Sequence, residues 1–199
     1  MKNWFEDLIL TGDKVELIPL QRSHREGLLK AASDGALWEL WYTAVPSDKT
    51  LDRYMDQALD DKNEGKVLPF TIIERQRDQI IGSTRFLNIE QPHKRLEIGN
   101  TWYASTFQRT GVNTECKYLL LKHAFEKFGC IAVEFRTHWH NHRSRNAILR
   151  LGAKQDGLLR NHRIDQDGNL RDTVVFSIIQ SEWKTVKRSL EFEMNKYKG

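Results

Sequence analysis

The run KRLEIGNTWYA (residues 94–104), STFQRTGVNT (105–114), ECKYLLLKHAFEKFG (115–129) and CIAVEFRTHWH (130–140) decides how the chain folds. The first block alternates: Leu96, Ile98 and Trp102 fall on one side, Glu97, Thr101 and Tyr103 on the other, which predicts a strand over 94–104. The third block changes period. Val112, Cys116, Leu119, Leu120 and Ala124 recur at helical spacing, predicting a helix from Val112 to Phe128 that Gly129 stops. Ile131 to His140 again reads as a strand. A polar loop with a glycine, Gln108 to Thr114, joins the first strand to the helix.

Working outward, Lys14 to Leu20 reads as a strand, and Ser23 as the N-cap of a helix over His24 to Ser33 with Leu28, Leu29 and Ala32 inward. Trp38 to Pro46 is aromatic and irregular. A second helix fits Leu51 to Asn63, with Leu51, Tyr54, Met55 and Leu59 at helical spacing and Gly65 behind it. Strands follow over Val67–Glu74 and Gln79–Asn88. Beyond residue 140, a short helix spans Ser144 to Leu151. A hairpin spans Lys154 to Ile179, turning at Asp165-Gln166-Asp167-Gly168, and a last helix runs from Ser181 to about Tyr197. The order βααβββαβαββα predicts one α/β domain of the α+β kind over residues 1–199, with a core at about 14–180. Its central sheet is mixed and mostly antiparallel.

Composition narrows the class. With 199 residues, 39% of them hydrophobic, the chain can bury a sizeable core, so wholesale disorder is excluded. No window reaches the ~18 apolar residues of a membrane span, and the acidic start MKNWFEDLIL does not read as a secretory signal. Cys116 and Cys130 alone make neither a disulfide framework nor a zinc site; a reduced, cytoplasmic setting is expected. The net charge of +4 suits an anionic ligand without demanding one.

The loop Gln108-Arg109-Thr110-Gly111-Val112-Asn113-Thr114 offers unpaired backbone N–H groups at a helix start, and Arg109 adds a charge-assisted contact; a pyrophosphate suits it. Neither GxxxxGK[ST] nor GxGxxG is present, and taken alone the loop also reads as an ordinary helix start. Further elements stand in register with it: EIG (97–99), HAFE (123–126), Asn141 with Ser144 and LGA (151–153), DGLLR (156–160) and SEW (181–183). Together these resemble the GNAT superfamily of acyl-CoA-dependent N-acyltransferases, nearest the branch of ribosomal-protein alanine N-acetyltransferases, from about Lys14 to the last helix.

The resemblance implies helices on both sheet faces and a splayed pair of parallel strands, around Tyr103 and Ile131–Trp139, that admits acetyl-CoA. It implies a pyrophosphate on Gln108, Arg109, Thr110, Gly111, Val112, Asn113 and Thr114, and a thioester carbonyl polarised by a strand N–H near Trp102, Tyr103 or Ala104. Glu97 is then the base or water-orienting group, Asn141 a pantetheine or substrate anchor and helix N-cap, and Ser144 the thiol's partner. No metal is implied. Two positions depart from the family: Asn113 stands where a small residue is usual in the loop, and Ile148 where many members carry an acidic tyrosine. The residues alone leave Glu97 equally open as a solvated carboxylate beside Lys94 or Arg95.

An α-amine titrates near ~7.7–8.0 whereas a lysine near ~10.4 needs about 4 kcal/mol of deprotonation help, so peptide N-termini or small amines are the expected acceptors. The rival reading is an inactive GNAT-shaped module that binds CoA or nucleic acid, since 136–163 holds seven Lys/Arg against Asp156. A basic rim also serves CoA phosphates, so nucleic acid is expected only through a ribosomal substrate. A homodimer is the assembly carried as an expectation. His138, His140 and His142 alternate like metal ligands, but Asn141 opens a helix and takes His142 off the strand face. Trp38, Trp41 and Tyr42 lie where the family shapes its acceptor pocket, with core packing as the plainer reading. Cys116 is expected to be structural, on the inward stripe.

Overall fold

A computed structural model describes residues 4–165 and 167–196. The elements are β1 (Leu10–Thr11), β2 (Val15–Pro19), α1 (Arg25–Ser33), α2 (Asp48–Asn63), β3 (Leu68–Glu74), β4 (Gln79–Glu90), β5 (Arg95–Tyr103), α3 (Val112–His123), β6 (Ala132–His138), α4 (His142–Arg150), β7 (Lys154–Ile164), β8 (Leu170–Ile179) and α5 (Gln180–Asn195). The strands form one sheet in the order β1-β2-β3-β4-β5-β6-β8-β7. Neighbouring strands are antiparallel except β5 and β6, which run parallel through Arg95–Ala132, Leu96–Val133 and Glu97–Glu134. Their pairing stops at Glu97, so the mixed sheet parts there, as the sequence reading expected.

Helices cover both faces. Trp102 donates to the Tyr54 hydroxyl of α2 at 3.3 Å, and Arg25 of α1 pairs with Asp48 and Asp52 of α2. On the opposite face α3 carries α5: Tyr118 donates to Glu191 at 2.7 Å, and Trp183 donates to Glu126 at 3.1 Å. The core between the layers holds Phe70, Phe86, Phe135 and Phe176, all buried, with Cys116 fully buried on α3.

Boundaries shift where caps decide them. α2 starts at Asp48 rather than Leu51, because Ser47 and Thr50 form a capping box; the Ser47 N–H donates to the Thr50 hydroxyl at 2.9 Å. Ser23 is not an N-cap. It lies in a short 3-10 turn, Arg22–His24, and His24 precedes α1. The helical path keeps its expected reach to Phe128, but α3 ends at His123 and Ala124–Phe128 continue it as a π-helical turn before Gly129. A short β1 precedes the first expected strand. Gln166 of the expected turn and Tyr197 of the expected last helix lie outside the described residues.

The largest correction concerns β5. Gly99 pairs with Arg85, but Trp102 pairs with Ser83, so β5 has one more residue than β4 over this span. Asn100 takes the left-handed conformation with φ 48° at this bulge. The extra residue flips the alternation: Glu97, Gly99 and Trp102 share the α2 face, whereas Ile98 and Tyr103 face α3. The expected common face for Glu97 and Tyr103 is therefore wrong. A Cβ on Gly82, opposite Tyr103, would meet the Trp102 carbonyl oxygen at 2.1 Å, so only glycine fits beside the bulge.

Candidate active site

The parting of β5 from β6 opens a cleft of about 2290 Å³. That is well above the ~300–1,000 Å³ of a typical single-ligand pocket, so it has room for two substrates. Glu97, Trp102, Tyr103, Gln108, Arg109, Thr110, Gly111, Asn113, Thr114, Asn141 and Ser144 all line it. Ala104 and Val112 do not; both are buried.

At one end lies the loop before α3. Gly111 has φ 89° and Arg109 φ 65°, and this turned backbone delivers the chain into α3 at Val112. The earliest N–H with an intrahelical acceptor is that of Glu115, to the Gly111 carbonyl at 3.1 Å, so the N–H groups of the first turn face outward unpaired. Lys14 of the neighbouring strand lead-in reaches the same loop, its Nζ donating to the Thr110 carbonyl at 3.2 Å. Arg143 donates to the Gln108 side chain. The loop's donor set suits a pyrophosphate, and Asn113 lines the cleft beside it. Lys14 was not among the residues expected from sequence, because it lies nearly a hundred positions away. Glu115 holds it there: its buried carboxylate accepts the backbone N–H groups of Asp13, Lys14 and Val15 at 2.7–2.9 Å.

Asn141 caps α4 as expected, its side-chain oxygen accepting the Ser144 N–H at 3.0 Å. This places Ser144 on the cleft wall. Ile148 is buried one turn on and brings no acidic group.

At the parting itself, Glu97 is 5% exposed and is not a solvated carboxylate. Neither Lys94 nor Arg95 holds it: Arg95 pairs with Glu134, while Glu97 accepts from Asn88 at 2.8 Å and lies 3.5 Å from Arg136 Nε. Burial raises its pKa above the ordinary range, opposed by Arg136 and Asn88. On the other side of the gap, Lys117 of α3 is 6% exposed. Its Nζ donates to Thr101 Oγ1 at 2.5 Å and lies 6.0 Å from the Phe135 ring centroid. Burial lowers its pKa to about 8, with the Glu97 charge among the groups that raise it. Sequence reading missed Lys117; its only signal is a lysine one place after Cys116 on an inward helix stripe.

The Ala104 N–H donates to the Ile81 carbonyl at 2.8 Å and so cannot polarise a ligand. Alternate residues of an antiparallel strand turn their N–H groups to opposite sides, so the Tyr103 N–H points away from β4, into the gap. The Tyr103 ring is packed against Cys116, and burial raises the pKa of its hydroxyl well above the usual value. Trp41 is 62% exposed and Trp38 is exposed too, so both rim the cleft rather than fill the core. Trp41 stands edge-on to His138 at 5.0 Å between centroids. Among the described residues no group of three His, Cys, Asp or Glu is arranged to hold a metal ion.

The acetyltransferase (GNAT) domain family model matches residues 14–154. An N-acetyltransferase of Bacillus licheniformis named p20 is 28% identical over 138 residues, covering 69% of this chain and 76% of that protein. YdaF of Bacillus subtilis, named as a candidate ribosomal N-acetyltransferase, is 28% identical over 108 residues, covering 54% of this chain and 58% of its own. A crystal structure of a GCN5-related N-acetyltransferase from Brucella melitensis superposes with a TM-score of 0.86 at 26% identity, covering 95% of this chain and 86% of that one.

Proposed function

Because this chain belongs to the GNAT acetyltransferase family, we propose that its cleft moves an acetyl group from acetyl-CoA directly to an α-amine of a peptide N-terminus, or to a small amine of similarly low pKa. The observation that carries the reading is the pair of buried groups at the parting of β5 and β6, Glu97 on one face and Lys117 on the other, in one cleft with the α3 loop.

Acetyl-CoA, when bound, supplies the thioester. The N–H groups of Asn113 and Thr114, with Arg109 and Lys14, hold its pyrophosphate, and Gln108 and Asn141 border the chain that leads inward. The Tyr103 N–H donates to the thioester oxygen as negative charge builds there. Glu97 takes the proton from the attacking amine, directly or through water, and its raised pKa brings it nearer the working pH. With isoleucine at 148, the departing sulfur is met by the Ser144 hydroxyl and the Lys117 charge. A group of pKa about 8 is matched to a thiol near ~8.5.

The Bacillus subtilis relative named for ribosomal acetylation supports the peptide N-terminus as acceptor. The test is thiol release from acetyl-CoA with a panel of peptides of varied first residue and of small amines. Turnover on one class identifies the acceptor; binding of CoA without turnover on any amine supports the inactive module instead.

A further inference from the structure

We infer that the acceptor of this transferase carries a carboxylate a few bonds from its reactive nitrogen, and that Arg85 binds that carboxylate. The inference rests on the proposed acceptor half of the cleft.

Arg85 lies on β4, is 4% exposed, and lines the cleft. Its guanidinium stacks over the Tyr54 ring, 4.5 Å from the centroid, and Nη2 makes one long bond of 3.4 Å to the Tyr54 carbonyl oxygen. Nε is buried and has no hydrogen-bond partner. Among the described residues no carboxylate lies within ion-pair distance of it, although Arg95 pairs with Glu134, and Arg136 with Glu134 and Glu97. A buried cation without an anion is costly, and an aromatic face offsets only part of that cost. A guanidinium with unused donors on a cleft wall is suited to take a carboxylate by parallel hydrogen bonds.

Position selects the ligand. Arg85 pairs with Gly99 and Leu87 with Glu97, so Arg85 and Glu97 sit on adjacent strands on the same face. The Glu97 carboxylate leans over Gly99, where a Cβ would meet Oε1 at 3.0 Å. Arg85 and the proposed base are thus diagonal neighbours across one ladder, where side chains stand about 7–8 Å apart, still within reach of one small ligand. An amine presented to Glu97 brings substituents a few bonds away to Arg85. Two acceptor sources share this chemistry: a free α-amino acid, and a peptide whose first residue is acidic. Arg171 adds positive potential from β8; its Nε is likewise buried and unbonded.

The experiment titrates the wild-type protein with aspartate, glutamate and Asp- or Glu-initiated tripeptides, and with the matching side-chain or α-carboxyl amides. Binding is followed by calorimetry, and thiol release is measured in parallel. At least tenfold weaker binding, or tenfold higher KM, for an amide than for its acid is expected; which amide suffers separates the amino acid from the peptide. Arg85→Gln is expected to remove that preference while CoA affinity stays unchanged, and Arg85→Lys to restore part of it. Equal affinity and KM for acids and amides in the wild type overturns the inference whatever the variants do. Loss of CoA binding in the wild type overturns the transferase reading instead, and carboxylate binding that needs Arg85 would still support the subsite.

Discussion

The Lys117 ammonium donates to the Thr101 hydroxyl at 2.5 Å, tying α3 to β5 just beyond the last residue that β5 pairs with β6. Thr101 in turn lies 2.7 Å from the Thr84 hydroxyl, so a short polar chain runs under the gap. A buried lysine there is expensive as a structural strut, and its place across the gap from Glu97 fits a charge placed for the departing sulfur.

Lys117→Met is expected to lower kcat by ~10²-fold, the low end for losing a proton donor. The acid form is the active one, so wild-type kcat falls as pH rises through about 8, and the variant loses that alkaline limb. A pH–rate profile with and without the substitution checks this. An unchanged limb assigns the proton to Ser144 or water.

Stability gives an independent check on the same residue. The folded pKa of Lys117 lies below the unfolded value, so the unfolded chain binds more protons between about pH 8 and 10.5, and this lysine's contribution to stability rises with pH there. The advantage of Lys117→Met over wild type in urea is expected to shrink between pH 7 and 10 by on the order of 2 kcal/mol.

Glu97→Gln is expected to lower kcat/KM by ~10²–10⁴ and to abolish the acidic limb of the pH profile. Burial raises the pKa of Glu97, so that limb lies above the ordinary glutamate range, and activity is lost as pH falls through it. The raised pKa also means that Glu97 favours the folded state most at acid pH and loses this contribution as pH rises through the folded value. Glu97→Gln should therefore gain melting temperature relative to wild type at pH 7 more than at pH 4. A retained acidic limb would make Glu97 a structural carboxylate.

Glu115→Ala removes three charge-assisted hydrogen bonds from buried or half-buried N–H groups at the start of β2. A loss of about 3 kcal/mol, or roughly 10 °C in Tm, is expected by thermal unfolding. CoA affinity should fall with it, because Lys14 leaves the α3 loop.

The element order was legible because hydrophobic period and glycine stops agree along 94–140, and Gly129 does sit at φ 70° behind the helix. Faces were less legible. The bulge at Asn100 leaves no mark in the alternation of residues 94–104, since Thr101, Trp102 and Tyr103 suit either face. Strict alternation consequently sets Tyr103 beside Glu97, and makes Ala104 read as a free donor although Ile81 takes its N–H. Long-range partners were invisible for a simpler reason. Nothing local ties Lys14 to Thr110, Glu97 to Arg136, or Arg85 to the ring face of Tyr54. Caps show the converse: Asn141 was read correctly because its partner, Ser144, is three residues away.

The central claim is that the loop before α3 and the gap beside it receive acetyl-CoA, and calorimetric titration of CoA into the wild type and Gly111→Leu tests it most directly. Gly111 stands at φ 89°, so the substitution costs about 1–2 kcal/mol of backbone strain while filling the approach to the N–H groups. Saturable binding below millimolar in the wild type, weakened at least tenfold in a variant that still unfolds cooperatively, is the predicted result. No heat from a folded wild type at millimolar CoA, or equal affinity in the two proteins, would contradict it.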